Sequence, residues 1–270
     1  MRKLTSFKDK TAVVTGASSG IGRALALRLA REGARVALVA RRQDELESVA
    51  ATIGELGGSA TAIPCDVADH AAVEHAAARA IEELGRVDIL VNNAGYGHHR
   101  PFVDWDVDDM ERMMRVNYLG TLYWTKALVG SMVEGGGGTL VFVASVAGKI
   151  APPEESAYAA SKFAVVGLAE ALAIELEDSG IDVLTVYPGV IRTPFFDDEA
   201  LTRMPPVAKR SMVEPDALID AVMSALAKGK HEVTYPRSIA AGYVVKALAP
   251  EFMRRQVRRN TIDALAKSRR

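Results

Sequence analysis

Short apolar runs alternate along the chain with longer stretches in which hydrophobic residues recur every three to four positions. Apolar or β-branched runs of this kind are typical of strands buried on both faces, and the longer period is typical of helices. The predicted strands cover residues 11–15, 35–40, 59–64, 87–91, 139–144 and 181–187, with a weaker candidate at 232–235. The helical patterns cover residues 21–33, 44–56, 69–84, 106–133, 156–179, 214–229 and 239–249. This alternation predicts an α/β fold with a doubly wound parallel sheet flanked by helices on both faces.

The pattern contains neither an internal repeat nor a linker, so residues 1–270 are predicted to form a single domain. Residues 195–270 are expected to be a substrate-side and C-terminal helical extension of that domain. Within it, residues 195–204 and the following Pro205-Pro206 predict a mobile segment over the substrate side.

Glycines are concentrated in the turn between the first strand and the first helix. Gly16, Gly20 and Gly22 have the spacing Gly-x-x-x-Gly-x-Gly, which differs from the common Gly-x-Gly-x-x-Gly fingerprint. Glycine lets the backbone approach a phosphate, and the helix N-terminus adds amide donors and a positive dipole. The context predicts a phosphate-binding turn, and a tight turn without a ligand is the alternative.

The second strand ends at Ala40 and is followed by Arg41 and Arg42. In dinucleotide-binding folds an acidic residue at this point binds the ribose 2′-hydroxyl, whereas arginine accommodates a 2′-phosphate. The sequence therefore favours NADP(H) over NAD(H). Two solvated arginines at a helix start are the alternative.

Tyr158 and Lys162 are four residues apart at the start of the helical pattern 156–179. Side chains at this spacing lie on the same face of a helix. A tyrosine with its ordinary pKa of about 10 is a poor acid or base near neutrality, and a nearby ammonium lowers that pKa. Such a pair is suited to moving a proton on or off a carbonyl oxygen. The alternative is a helix-start tyrosine and a solvated lysine.

Composition narrows the class of protein. The net charge of −1 gives no argument for nucleic acid as a partner, and the single Cys65 excludes an internal disulfide and a cysteine metal cluster. The first ten residues lack the apolar core of a signal peptide, and no run approaches about 18 uninterrupted apolar residues. We expect a cytoplasmic protein. The adjacent His98 and His99 cannot normally converge on one ion, so no metal site is predicted.

Four sequence motifs follow one another between residue 10 and about residue 195. They are Thr15–Gly22, Asn92–Gly95, Ser145 ahead of Tyr158-x-x-x-Lys162, and Tyr187–Thr193. On these motifs the chain resembles the short-chain dehydrogenase/reductase family. The resemblance implies a Rossmann-like fold and an NADP(H)-dependent oxidoreductase that interconverts a carbonyl (ketone or aldehyde) and an alcohol. Phe195, Phe196, Met204 and the apolar segment 239–249 suggest a lipophilic small-molecule substrate.

The resemblance also implies residue roles. Tyr158 would be the general acid in reduction and the base in oxidation, and Ser145 would hydrogen-bond the substrate oxygen. Lys162 would hold the nicotinamide ribose, and Asn117 would keep a water in a proton relay through Lys162. The residues expected at the cofactor are Gly16, Ser18, Ser19, Gly20, Ile21, Gly22, Arg41, Arg42, Asp66, Val67, Asn93, Ala94, Gly95, Tyr158, Lys162, Pro188, Gly189, Val190 and Thr193. A partly buried helix asparagine at 117 and a strand-end cap at 145 are the alternatives.

Two other functions fit the same motifs: a noncatalytic NADP-binding regulator and an epimerase or dehydratase of the nucleotide-sugar type. The intact set of Asn117, Ser145, Tyr158 and Lys162 argues against the first. The glycine spacing and the short chain argue against the second. The predicted helices at 106–133 and 156–179 are apolar on more than one face, and the family commonly pairs them, so we expect a homodimer or homotetramer.

The C-terminal segment has a different charge from the rest of the chain. Residues 251–270 carry seven Arg or Lys and two acidic residues, a net of +5, which leaves −6 on residues 1–250. An apolar segment beside clustered positive charge is what an interfacial membrane helix needs. Packing over the pocket or against a partner subunit, with a solvated face of arginines, is favoured over membrane contact through residues 238–270. The reasons are that Lys246 interrupts the apolar run and that acidic patches elsewhere could pair with the tail.

Overall fold

The structure is a computed structural model that describes residues 1–196 and 198–264. Within these residues, seven parallel strands form one sheet in the order β3-β2-β1-β4-β5-β6-β7. The strands are β1 (Thr11–Thr15), β2 (Arg35–Ala40), β3 (Ser59–Pro64), β4 (Ile89–Asn92), β5 (Gly138–Val143), β6 (Ile181–Pro188) and β7 (Glu232–Tyr235). The helices are α1 (Gly20–Arg31), α2 (Gln43–Glu55), α3 (His70–Leu84), α4 (Val107–Met114), α5 (Gly120–Glu134), α6 (Ser156–Glu175), α7 (Asp198–Arg203), α8 (Pro206–Arg210), α9 (Pro215–Lys228), α10 (Ala240–Leu248) and α11 (Pro250–Asn260). A π-helical turn (Arg115–Leu119) joins α4 to α5, and 3-10 turns cover Phe102–Asp104, Val146–Gly148, Glu177–Ser179 and Arg237–Ile239.

Both faces of the sheet are covered, which explains the unbroken apolar runs of the central strands. Successive residues of a strand point to opposite faces. Val14 accordingly packs in the core that contains Leu25 of α1, while its neighbour Val13 packs in the core that contains Trp124 of α5. The helices α1, α2 and α9 cover one face, and α3, α5 and α6 cover the other.

The position of the functional site follows from the strand order. From β1 the sheet grows through β2 and β3 in one direction and through β4 to β7 in the other. In open parallel sheets ligands bind at the carboxyl ends of the strands where the order reverses. That point lies between β1 and β4, which are followed by the glycine turn and by Asn93.

The predicted fold class and a seventh strand at 232–235 are confirmed. The helix predicted at 106–133 is interrupted by the π-helical turn, and the helix predicted at 156–179 ends at Glu175 and is followed by a 3-10 turn. The segment predicted to be mobile holds α7 and α8, and its mobility stays a prediction. Asp197 of that segment and residues 265–270 of the tail lie outside the described residues.

Among the described helices, α6 alone is long and apolar enough to cross a membrane by length and composition. Its inner face, which includes Val165, Val166 and Ala169, is buried in the core beneath the sheet. This burial is what the core helix of an α/β fold requires.

Candidate active site

A large cavity of about 960 Å³ opens at the carboxyl ends of β1, β4, β5 and β6. It is walled by the turns that follow these strands and by the start of α6. The predicted site residues that line it are Gly16, Ser18, Ser19, Gly20, Ile21, Arg41, Arg42, Asp66, Val67, Asn93, Ala94, Gly95, Ser145, Tyr158, Lys162, Pro188, Gly189, Val190 and Thr193. The two other predicted residues, Gly22 and Asn117, are not among its lining residues.

The glycine turn has the shape that its sequence predicts. Gly16 and Gly20 have φ angles of +66° and +56°, the left-handed region that favours glycine. A Cβ on Gly22 would lie 2.3 Å from the carbonyl oxygen of Gly16, so no side chain fits between the turn and α1. The N-cap residue Ser19 makes no side-chain hydrogen bond to the first turn of α1, and that turn has no acidic residue. These features fit a diphosphate group at the helix N-terminus.

Thr15 ties the glycine turn to the strand beside it. Its Oγ1 accepts hydrogen bonds from the backbone N–H groups of Asn93 (2.9 Å) and Ala94 (3.0 Å) and donates one to the carbonyl of Val91 (3.2 Å). In return, Nδ2 of Asn93 donates to the carbonyl of Thr15 at 2.9 Å. Thr15 opens the first motif, but its place in the sequence predicts no role for it.

The two arginines after β2 differ in their surroundings. Arg42 forms an ion pair with Glu45 at 2.6 Å and donates a hydrogen bond to the hydroxyl of Ser18 at 3.3 Å. Arg41 is exposed and has no ion pair within the described residues. Arg41 therefore lines this end of the cavity without an ion-pair partner among the described residues, as Arg112 of α4 does, while Arg42 links the turn after β2 to the glycine turn.

Tyr158, Ser145 and Lys162 meet at the wall of the cavity, and each is less than 10% exposed. The Ser145 side chain lies beside the Tyr158 hydroxyl and acts to lower its pKa, and Ser145 Oγ accepts the N–H of Ala147 at 3.1 Å. Ser145 is thus both a strand-end cap and a neighbour of the tyrosine. The Lys162 ammonium lies 5.8 Å from the centroid of the Tyr158 ring and donates to the carbonyl of Val143 at 2.9 Å.

Burial dominates the acid–base properties of this pair. The pKa of Tyr158 is raised above its ordinary value of 10, first by burial and further by the negative charge of Glu155, while the neighbouring Ser145 side chain lowers it by less. Burial lowers the pKa of Lys162 from 10.5 to about 8. The sequence predicts a lowered pKa for Tyr158, and the structure reverses this sign because loss of hydration outweighs the other contributions.

Asn117 lies in the π-helical turn and is fully buried. Its Oδ1 accepts the N–H of Tyr96 at 3.0 Å, and its Nδ2 donates to the carbonyl of Tyr96 and to the hydroxyl of Ser161, both at 2.9 Å. A Cβ on Gly95 would lie 3.1 Å from Oδ1 of Asn117 and 3.5 Å from Nζ of Lys162. The asparagine therefore fixes the loop at Tyr96 and the inner face of α6, and Gly95 leaves room beside the ammonium.

The part of the cavity away from the glycine turn is largely apolar. The Phe195 ring lies 5.6 Å from that of Tyr158 and 5.1 Å from that of Phe196. The apolar side chains on this side are Tyr96, Ile150, Pro152, Pro153, Phe195, Phe196, Met204, Val207, Ile239 and Ile262. Two of them, Ile239 and Ile262, lie at the ends of residues 239–262, where the sequence showed an apolar segment followed by clustered arginines.

Two ion pairs border this apolar region. Arg203 of α7 pairs with Glu154 at 3.0 Å, and His99 pairs with Glu155 at 2.8 Å. Glu154 has a φ angle of +67°, an unfavourable conformation for a residue with a side chain. These pairs fasten α7 and the loop after β4 to the residues just before α6.

The neighbouring histidines have different contacts. His98 lies between the rings of Tyr96 and Trp105, with centroid distances of 5.5 and 6.3 Å, whereas His99 takes part in the ion pair with Glu155. A search of the described residues finds no group of three His, Cys, Asp or Glu side chains placed to hold a metal ion.

Comparison with known proteins identifies the family. Residues 10–203 match the family described as short chain dehydrogenase. The chain belongs to the short-chain dehydrogenase/reductase family. This confirms the resemblance found in the sequence, and the protein is an oxidoreductase that acts on CH–OH groups with NAD(P)(H).

Individual relatives of this dehydrogenase/reductase agree with that assignment. It is 43% identical to oxidoreductase UcpA of Salmonella typhimurium over 201 residues, which cover 74% of this chain and 75% of the relative. A short-chain type dehydrogenase/reductase from Mycobacterium marinum is similar in structure, with a TM-score of 0.78, 34% identity, and coverage of 86% of this chain and 95% of that one. A 7α-hydroxysteroid dehydrogenase complexed with NADH and 7-oxo glycochenodeoxycholic acid also has a TM-score of 0.78, with 29% identity and coverage of 85% and 94%.

Proposed function

We propose that this dehydrogenase/reductase interconverts a carbonyl group and an alcohol on a lipophilic small molecule, with NADP(H) preferred over NAD(H). One observation carries the chemistry. Tyr158 and Ser145 lie side by side in the wall of a cavity of about 960 Å³, and the buried Lys162 follows Tyr158 one helical turn later. A noncatalytic regulator would not need this arrangement.

Each residue of the site has a separate role in the proposed reaction. The hydroxyls of Ser145 and Tyr158 hold the substrate oxygen, because both residues line the cavity and lie beside each other. NADP(H) supplies or accepts the hydride when bound. Tyr158 gives its proton to the substrate oxygen in reduction and takes it back in oxidation. Lys162 places positive charge one turn away, with one of its three N–H groups used on Val143.

The raised pKa of Tyr158 bears on this role. A tyrosine whose pKa lies above its ordinary value keeps its proton at neutral pH, and the protonated phenol is the form that reduction consumes. Oxidation needs the phenolate, so the positive charge of Lys162 matters most in that direction.

The preference for NADP(H) rests on Arg41. It lines the cavity at the end of β2, where dinucleotide folds meet the adenosine ribose, and no acidic residue occupies the end of that strand. The structural relative that contains NADH gives no support for a 2′-phosphate, so the preference depends on the arginines of this chain alone.

The substrate class follows from the walls of the cavity beyond Tyr158. Phe195, Phe196, Met204 and Ile239 form an apolar lining that a lipophilic molecule would bury. The structural relative with a bound bile-acid derivative shows that the fold accepts such a ligand in that protein.

We also propose a cytoplasmic homo-oligomer. The single cysteine, Cys65, is free and buried, which suits a reducing compartment. On α6 the side chains of Phe163 and Ile174 are 40% and 77% exposed, so this apolar helix has an outer face that a second subunit would cover. Light scattering at micromolar concentration should give a dimer or tetramer mass, and Ile174→Glu should lower it. Leu56→Glu, at an exposed leucine after α2, should leave the mass unchanged. A monomeric wild type would contradict the proposal.

The experiment that tests the chemistry is a screen of ketones, aldehydes and alcohols that follows the absorbance of reduced nicotinamide, with NADPH and NADH in parallel. Tyr158→Phe should lower turnover by roughly 10²–10⁴-fold, the typical effect of losing a proton-transfer group, and should leave cofactor affinity nearly unchanged. Tyr123→Phe is the matched control, because Tyr123 stacks on His70 on α3 and does not line the cavity. Near-wild-type turnover of Tyr158→Phe would refute the mechanism, and cofactor binding without turnover on any substrate would favour the regulator.

A further inference from the structure

The helix α10 presents two different faces. On its inner face the Tyr243 ring lies 6.2 Å from that of Tyr187, and the Lys246 ammonium bonds to the carbonyl of Lys149. Its outer face carries Val244 and Leu248, which are 59% and 81% exposed. Lys246 therefore points inward and does not interrupt the outer apolar face, although it interrupts the apolar run in the sequence.

The next helix, α11, adds exposed apolar area and positive charge. Phe252 is 49% exposed, and four exposed arginines lie within residues 254–259. Arg254 and Arg258 form ion pairs only with Glu251 and Asp263 of the same segment, within the described residues. Arg255 and Arg259 have no ion pair there. Within the described residues, no carboxylate outside this segment therefore forms an ion pair with these arginines.

We propose that this outer face, formed by Val244, Leu248, Phe252, Arg255 and Arg259, binds reversibly to the surface of an anionic lipid bilayer. Exposed apolar side chains beside unbalanced arginines supply the two attractions that interfacial binding combines. A second copy of the chain is a poorer occupant, because a two-fold interface would bring two copies of the same positively charged patch together.

Both ends of the pair of helices α10 and α11 lie at the cavity. Ile239, just before α10, and Thr261 and Ile262, just after α11, are among its lining residues. Binding through the outer face would bring this edge of the cavity to the lipid, from which a lipophilic substrate could enter. This last step rests on the proposed function, whereas the binding itself does not depend on any redox chemistry.

Flotation of the full chain with vesicles tests the binding. Vesicles of phosphatidylcholine with phosphatidylglycerol should carry the protein upward at low salt, and vesicles of phosphatidylcholine alone should carry much less. Arg255→Gln/Arg259→Gln should weaken partitioning roughly thirtyfold, because each basic residue near an anionic surface contributes about fivefold. Leu248→Ser should weaken it roughly tenfold, through the loss of buried apolar area. High salt should reduce binding, because the attraction is screened.

Two matched controls remove the same chemistry from other surfaces. Arg31→Gln/Arg79→Gln takes away two exposed arginines from α1 and α3, and Leu56→Ser replaces a 50% exposed leucine after α2. Both should float like the wild type. The proposal is overturned if the wild type floats equally with and without anionic lipid, or if the controls lose as much binding as the α10 and α11 variants. It is also overturned if Leu248→Ser changes only the oligomer mass. Turnover with a soluble substrate should be the same in all variants, so failure here is separable from failure of the proposed chemistry.

Discussion

Replacing Lys162 by methionine should change the pH dependence of stability in a direction that the structure fixes. The ammonium is 4% exposed, and burial lowers its pKa from 10.5 to about 8. At about 1.4 kcal/mol for each pH unit, keeping this group charged in the fold costs about 3 kcal/mol. Methionine fills a similar volume without the charge, so the variant avoids that cost.

The substitution also has a penalty. The carbonyl of Val143 accepts the Lys162 ammonium at 2.9 Å and would lose this partner. An unsatisfied buried polar group costs about 1–3 kcal/mol. Below pH 8 the variant should therefore be as stable as the wild type or more stable by up to about 2 kcal/mol.

The test depends on how the free energy of unfolding changes with pH. Between pH 8 and 10.5 the unfolded wild type still holds the Lys162 proton, while the folded wild type has released it. The free energy of unfolding of the wild type therefore rises with pH across this window, by about 3 kcal/mol relative to the variant. Near pH 10.5 the variant should have become the less stable of the two.

Urea unfolding of the cofactor-free protein at fixed concentration measures this difference, and the fluorescence of the buried Trp124 provides the signal. Lys126→Met on α5 is the matched control, because it makes the same replacement at an exposed lysine. A constant difference between Lys162→Met and the wild type from pH 8 to 10.5 would refute the burial of a charged lysine at this position.

Two further predictions concern the dinucleotide end of the cavity. Arg41→Ala/Arg42→Ala should weaken NADPH binding roughly ten- to a hundredfold, the range for a lost charge-assisted contact, and should change NADH binding little, as measured by fluorescence titration. Equal loss for both cofactors would show that the arginines do not contact the 2′-phosphate. Gly22→Ala places a Cβ 2.3 Å from the Gly16 carbonyl oxygen, so it should cost about 1–3 kcal/mol of stability and weaken both cofactors. Gly54→Ala, where a Cβ meets nothing within 4 Å, should instead raise the melting temperature, and a wild-type melting temperature and affinity for Gly22→Ala would contradict the close packing.

The hydrophobic pattern predicted the strands and most helices, because each kind of element leaves its own pattern of apolar residues. A strand buried on both faces gives a continuous apolar run, and a helix buried on one face gives apolar residues every three to four positions. It did not show the π-helical turn at Arg115–Leu119, since the apolar period continues through it. The only trace was Asn117, a residue with weak helix preference. The pattern ended a helix just before Pro250 but did not predict that α11 begins there, although proline is favoured in the first turn of a helix.

The chemistry of the site was harder to predict from the sequence than its location. Motifs brought Ser145, Tyr158 and Lys162 to one wall, but the direction of the tyrosine pKa depends on how deeply the fold buries it. The ion pair of Glu154 with Arg203 joins residues 49 positions apart, so no local spacing could indicate it. Ser161 stands inside the Tyr-x-x-x-Lys motif, and its partner Asn117 is 44 positions away.

The buried polar face of α6 explains how this site can be rigid. Tyr158, Ser161 and Lys162 are buried in a helix that is otherwise apolar, and unpaired polar groups there would be costly. Ser161 and Lys162 have hydrogen-bond partners on other elements, Asn117 in the π-helical turn and Val143 in β5, and Tyr158 lies beside Ser145 at the end of β5. Since these buried contacts hold the inner face of α6 in one arrangement, the packing of α6 against these elements also fixes the positions of the Tyr158 hydroxyl and the ammonium. The geometry that the reaction needs is therefore set when the helix docks on the sheet.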